Sequence, residues 1–552
     1  MDSNEKLCGV DSFGRGFMPV EKWDEQKHVG MFYFLWHGQD EKMSRVYNIT
    51  KLLKEHPDDL WNIQGTELSP INRFYYWDEP IFGYYKSSDK WVIARHIELL
   101  IAAGVDFLFL DATNAYTYPE SCKALLEVLL DFLNADRRPP RVMFYTNSHS
   151  IATIKSVYND FYKDEKYAPL WYRRGDRPII VGNATVESDM AEAALRNDSY
   201  TTDELDDEIK NYFDIRPSQW PFDPVKPYGF PWMEWTYPQP NHNGIMNVSL
   251  AQHPHIPFSD SLKDRTRNMG RGYDFEKKQN VEADARKGTN AQSQWDTVHK
   301  DNTVHTVTVT GWNEWVAIKL ILENRVFFVD TVNEEFSRDI EPQKGDGYQD
   351  AFYLQLCQNV RRFKGIKEPS GASKEPQEAS QDSQAQEIYY AINPYGTGRD
   401  CNAVCNTVRY YQAPPRNNLQ KISLSNNKDE LFITVYNDKP FACGQSADFV
   451  NIFMGTDEPA LVGWESYRFV AEPAAKKLYK LNKNGERTLA CDISVLLEAD
   501  RLTVTLPLSK LNAQKAIYFK VTDGFSGTDI MDTYIQGKCL PMGRLSYYYK
   551  LK

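Results

Sequence analysis

A chain of 552 residues is too long for one ordinary core, so two or three domains are expected. Charged residues make up 25 % of it and the net charge is -12 without a basic block, which argues against nucleic acid or an anionic membrane as a partner. No apolar run is long enough to cross a bilayer, and aromatics are abundant at 13 %, a composition common in proteins that bind carbohydrate.

Residues 1–28 carry no hydrophobic signal segment and read as a lead. They leave the compartment open. A secreted, periplasmic or cell-surface location is favoured if a signal was removed, and the cytoplasm otherwise. From residue 29 strand and helix patterns alternate. VGMFYFLWH (29–37) is an apolar run suited to a buried strand. KWVIARHIELLIAAG (90–104) has helical spacing and ends at Gly104, a natural cap. VDFLFLDAT (105–113) is the next strand, ESCKALLEVLLDFLNA (120–135) a helix, and RVMFYTN (141–147) a strand. SIATIKSVYNDFY (150–162) is helical and RPIIVGN (177–183) extended. Less regular runs follow at 228–235, 245–253 and 305–315, and a closing helix covers 348–365.

Apolar strands that alternate with helices imply a parallel sheet covered on both faces. About eight of them over residues 29–366 favour an α/β fold of the (β/α)8 TIM-type barrel class over an open doubly wound sheet. Neither a G-x-G-x-x-G nor a Walker loop is present, so the chain offers no nucleotide or other cofactor signature. Cys401 and Cys405 form the one close cysteine pair. Without a second pair or a nearby histidine they read as a disulfide or two free thiols rather than a metal site.

The strand ends carry the chemistry. Trp36, His37, Asp111, Asn114, Asn147, His149, Asn183, Glu234, Gln252, His253, Asn313 and Glu314 all fall at or just beyond the C-terminal end of an apolar run, where a barrel gathers its functional side chains. The densest signal is Gly311-Trp312-Asn313-Glu314-Trp315, after the Val/Thr strand TVHTVTVT. A carboxylate there serves as acid, base or nucleophile, the amide beside it binds a hydroxyl, and the tryptophans stack on a sugar ring. A strand end with core tryptophans is the plainer alternative.

Residues 367–387 contain no aromatic and no large aliphatic side chain, so they read as a flexible linker. From 388 to 552 the pattern changes to short strands split by Asn, Asp, Gly and Pro, which predicts an all-β sandwich. Trp464 and Tyr467 are candidates there for a sugar platform, with core packing as the alternative.

The G-W-N-E-W strand end, the YPQ stretch at 237–239 and R-D-I-E-P at 338–342 resemble the glycoside hydrolase family 99-like barrels, including the WbsX-like group from polysaccharide gene clusters. The tail, with Asn437-Asp438 and G-W-E-S-Y-R-F at 463–469, resembles sugar-binding-type sandwiches of bacterial glycan enzymes. The resemblance implies a glycosidase with Glu314 in its site. Family 99 enzymes carry a second carboxylate three residues later. Here that residue is Ala317, and residues 316–336 look like an insertion.

Another acid must therefore complete the pair. Glu234, walled by tryptophans, is expected as the general acid, with Glu314 as base or nucleophile and Asp111 on a sugar hydroxyl. Glu335 is an alternative acid, with Asp330 and Asp339 as weaker options. Tyr33, Trp36, His37, Asn114, Asn147, Gln252, Trp312 and Asn313 are expected to line the sugar subsites. The functional expectation is a glycoside hydrolase acting on a complex oligo- or polysaccharide. A non-catalytic glycan-binding protein and a polysaccharide-assembly protein are the alternatives. Linkage, stereochemistry and oligomeric state are not encoded legibly.

Overall fold

The structure, a computed structural model, describes residues 4–20, 22–366, 387–390, 392–396, 398–412, 414–442 and 449–552. Its first half is built on seven parallel strands: β1 (His28–Tyr33), β2 (Phe107–Ala112), β3 (Arg141–Thr146), β4 (Ile179–Val181), β5 (Asp214–Arg216), β6 (Ile245–Ser249) and β7 (Thr306–Thr310). They pair in the order β6-β7-β1-β2-β3-β4-β5. Asp89 caps the helix Lys90–Ala103 by accepting from Trp91 N, and Gly104 ends it at φ 83. Helices Pro119–Asn134, Ser150–Val157 and Ala351–Lys364 follow where the sequence predicts them, the 150–162 prediction closes in a π turn, Tyr158–Tyr162, and Thr289–Lys300 is a helix that the sequence reading did not anticipate.

Two apolar layers line this sheet because strand side chains alternate between its faces. Phe32, Phe34, Phe107, Phe109, Met143, Tyr145, Ile179 and Val181 form one cluster with Phe230. Their neighbours Met31, Tyr33, Leu108, Leu110, Val142, Phe144 and Ile180 join the larger core with the helices. The inner layer matches large against small. At Gly30 a Cβ would sit 2.2 Å from the Phe107 ring, so only glycine leaves that ring its place.

The seven strands make a partial barrel. Between its edges β5 and β6 lies a short parallel pair, Ser218–Gln219 with Phe230–Pro231. Side chains fasten this pair to the far edge: Asn247 Nδ2 donates to Trp232 O at 2.8 Å, and Thr308 Oγ1 to Pro231 O at 2.8 Å.

Among the described residues the C-terminal part is built on two larger antiparallel sheets and a small hairpin, Arg399–Asn402 with Arg409–Gln412. In the smaller of the two sheets, Glu430–Asn437 and Arg501–Pro507 alternate buried and open positions, as a two-layer packing requires. Tyr389 of that sheet meets Phe519 and Tyr547 of the other at 5.2 and 5.0 Å between ring centroids. Trp464 and Tyr467 belong to this core. The Trp464 indole donates to Thr528 O, and Tyr467 is bonded to Ser546, so neither offers an open platform. Cys401 and Cys405 are free thiols, with Cys401 Sγ 2.9 Å from Asp89.

The lead segment is not peripheral. Leu7–Val10 pairs with Leu545–Lys550, so one end of the chain supplies a strand to the sheet built by the other. Arg544 then joins the two parts. It reaches Asp350 at 2.5 Å on the barrel side and Glu465 at 2.9 Å on its own. Arg399 bonds Asp89 at 3.0 Å. The expected linker lies, at 367–386, outside the described residues. Cleavage there is expected to leave both pieces together on size-exclusion chromatography under native conditions, because buried ion pairs and a shared sheet hold them. Elution of a free fragment of the C-terminal part would show that these contacts do not suffice.

Candidate active site

The loop after β7 is held by its own main chain. Gly311 N donates to Arg338 O at 3.1 Å, and Ile340 N returns to Gly311 O at 3.1 Å. Residues 338–341 therefore run beside the Trp-Asn-Glu turn. Between them the chain makes an excursion. Val316–Ile318 pairs with Phe74–Tyr76, and Leu320–Leu322 folds on Arg325–Phe327 through Glu323 and Asn324, both at positive φ. The excursion brings Asp330 back to Arg338.

Arg338 is fully buried and organises the site. Its Nη2 and Nε donate to one oxygen of Glu314, Oε2, at 2.7 and 3.0 Å. The same Nη2 reaches Asp330 Oδ1 at 3.2 Å, and Nη1 meets His253 Nδ1 at 3.0 Å. The two carboxylates thus share one nitrogen, and their nearest oxygens are no farther apart than the sum of those two distances. Burial pushes the Glu314 carboxyl well above the usual range. Arg338 opposes that, and Asp330 and Asp339 add to it. Asp111, at the end of β2, is also raised, first by burial and further by Asp330, while Thr113 bonds it and pulls the other way. Glu314 and Asp330 thus meet at a single cation, and Asp111 is coupled to this pair through Asp330. Asp339 faces the opposite side. It accepts from the Trp77 indole at 2.7 Å, and burial lifts it to about 7.

Tryptophans wall this group. Trp232 lies under Arg338 with 5.8 Å from ring to guanidinium, Trp220 crosses Trp232 at 5.3 Å, and Trp235 meets His253 at 5.7 Å. Trp36 stacks on Phe34 at 5.4 Å. These four rings are half-buried. The indole N–H groups of Trp36, Trp232 and Trp235 are shut from solvent and have no hydrogen-bond partner. An unpaired buried donor costs about 1–3 kcal/mol, which a ligand hydroxyl would recover.

Several expected site residues are placed elsewhere, and alternation explains the first. Phe32 and Phe34 face the inner layer, so Tyr33 points to the helices, where its hydroxyl bonds His96 at 2.8 Å. His37 is buried between Tyr76 and Tyr85. Trp312 is buried against His96 and Tyr353 rather than in the cleft. Asn313 staples the turn to β1, accepting from Phe34 N at 3.0 Å and donating to Phe34 O. Gln252 accepts from Asn290. Asn147 is occupied by Glu192 and the Trp220 indole, so it fixes a wall residue. Asn114 is exposed beyond β2.

The expected partner acids also move. Glu234 is turned to His242, 2.5 Å from its Nε2, although Trp232 and Trp235 on either side of it reach the Arg338 group. Glu335 pairs with Arg265 at 2.6 Å. Ala317 is buried in the strand paired with Tyr75. Sequence reasoning ranked Asp330 low and passed over Arg338. The signal for Arg338 was that a carboxylate set among tryptophans requires a cation, and R-D-I-E-P contains one.

No family profile matches the chain, and no curated protein matches it. Among solved structures, the GH99 endo-α-mannosidase from Bacteroides thetaiotaomicron aligns with 61 % of this chain and 97 % of its own, at 16 % identity and a TM-score of 0.36. The same mannosidase in complex with Bis-Tris propane aligns with the same coverage at 13 % identity and a TM-score of 0.36. Scores at this level do not establish a shared fold.

Proposed function

We propose that this protein is a glycoside hydrolase that cleaves a complex oligo- or polysaccharide with Glu314 and Asp330 as its paired carboxylates. The observation that carries the reading is the sharing of Arg338 Nη2 by both acids, at 2.7 and 3.2 Å. Paired carboxyls in glycosidases are separated by roughly 5–5.5 Å when the configuration is retained and roughly 6.5–9.5 Å when it is inverted. Two acids on one nitrogen fall toward the closer arrangement, which favours retention.

Burial supports a division of roles. Glu314 holds its proton and delivers it to the departing glycosidic oxygen. Asp330, with its side chain one-third exposed at 33 %, reaches the anomeric carbon or the attacking water. This reverses the expected role of Glu314 and replaces Glu234 as its partner. Asp111 binds a sugar hydroxyl beside them, and the half-buried tryptophans stack on the rings. In this reading the fold is a (β/α)8-type barrel, with residues 218–219 and 230–231 in the eighth position.

The test is a screen of plant, host and microbial glycans for reducing-end release, run in parallel with Asp330→Asn. Release by the wild type that disappears in the variant supports the assignment. Glycan binding without release, in a folded protein, would replace it by the glycan-binding reading, which the tryptophan walls alone would satisfy.

A further inference from the structure

His253 has no role in the reading above, yet its geometry is restrictive. It lies just past β6, whose neighbour β7 leads to Glu314. Its Nδ1 is 3.0 Å from Arg338 Nη1. A guanidinium has only donors, so Nδ1 must present its lone pair. The ring proton is then on Nε2, at the opposite edge of the imidazole. Trp235 and Phe258 pack against the ring at 5.7 and 5.0 Å and fix its plane. None of the described hydrogen bonds uses Nε2, and His253 as a residue is half-buried.

We propose that Arg338 locks His253 as a neutral imidazole whose Nε2–H is a permanent donor to a sugar oxygen in the cleft. The inference rests on the hydrolase reading for the identity of the ligand, but not for the tautomer. The charged groups around the ring favour the same state. Arg338 faces it directly, with Glu314 and Asp330 held on the far side of the guanidinium, and no carboxylate touches the imidazole among the described residues. Burial first, and Arg338 second, bring its pKa down to about 3. His253 therefore donates without titrating near neutral pH. That property suits substrate holding rather than proton transfer, because a group that never changes charge cannot act as acid and base.

Two measurements test this. Long-range 15N–1H correlation spectra of imidazole-labelled protein should show the Nε2–H tautomer of His253 unchanged across neutral pH. An Nδ1–H or imidazolium pattern there overturns the proposal, and this arm needs no glycan.

The second measurement compares His253→Gln with His253→Asn. The Gln amide nitrogen falls near the Nε2 position and keeps a cleft donor. The Asn carbonyl falls near Nδ1 and keeps the acceptor for Arg338. Glycan affinity is read by calorimetry with Glu314→Gln as the common background. Asn is expected to weaken binding by about tenfold, the value of one lost neutral hydrogen bond, and Gln by less. Binding that survives in Asn and fails in Gln would show that His253 serves only to hold Arg338, and would overturn the donor role. Binding of glycans that the wild type does not cleave would sink the hydrolase reading while leaving this comparison intact. Failure of every glycan to bind would overturn the sugar assignment, whatever the spectra show.

Discussion

Glu314→Gln is expected to lose turnover of natural glycosides on the order of a hundred- to ten-thousand-fold, the usual worth of a positioned general acid. Its melting temperature should stay near the wild-type value, because the Gln carbonyl still accepts from Arg338. Aryl glycosides with good leaving groups need no protonation in the first step, so the same variant should retain much of its kcat/KM on them, while its turnover falls because Glu314 also serves as the base of the second step. Its pH profile on those substrates should lack the alkaline limb, which in the wild type reports loss of the Glu314 proton. Asp330→Asn should lose both substrate classes. Equal loss of both classes in Glu314→Gln, with the fold intact, would make Glu314 the nucleophile or base and Asp330 the acid. Wild-type activity in either variant removes that residue from the mechanism.

Arg338→Met is expected to cost about 3–5 kcal/mol of stability at neutral pH as well as all activity. Removing one partner of a buried ion pair strands the other charge. Here Asp330 loses the cation it pairs with, Glu314 loses the donor of both its described hydrogen bonds, and Asp339 loses a nearby positive charge. The deficit should depend on pH with a definite sign. Burial raises the folded-state values of Glu314 and Asp339 above their ordinary ones. Groups raised in this way stabilise fully below the ordinary carboxylate range, and that stability is lost as pH rises through the folded values, about 7 for Asp339. Without Arg338 those values rise further. The variant should therefore lie closest to the wild type in mild acid and fall behind it as pH increases, in thermal melts across that range. A deficit that shrinks toward alkaline pH would mean that the Arg338 carboxylate pairs are not what stabilises this region.

Much of the barrel was legible because its cues are local. The helix Lys90–Ala103 with its Gly104 cap, the strands at 107–112 and 141–146, and the Val/Thr strand 306–310 all sit within a few residues of their predicted bounds. The strand ends at Glu314 and Asp111 were legible for the same reason. Period-two alternation was also available for Tyr33, and it was the strand-end position that drew attention to that residue instead. Asn313 and Trp312 show the limit of reading a motif as a set. Asn313 staples the turn, Trp312 fills the core behind it, and of the three only Glu314 is bonded to Arg338.

By itself the sequence determined two kinds of local order, alternating strand and helix up to residue 366 and split β-strands after 388, because periodicity and capping act within one or two turns of chain. It also showed that the position three residues after Glu314 holds Ala317 and no carboxylate. Which charged groups stand beside Glu314 was decided by the tertiary structure. Asp330 and His253 lie far apart in the chain, and both reach Arg338 because the 316–327 excursion and the main-chain bonds at Gly311 carry it onto the Glu314 turn. The same holds for the lead segment, whose strand Leu7–Val10 finds its partner at the other end of the chain, Leu545–Lys550. Contacts of that range depend on where the backbone returns in space, and no local pattern of residues records it.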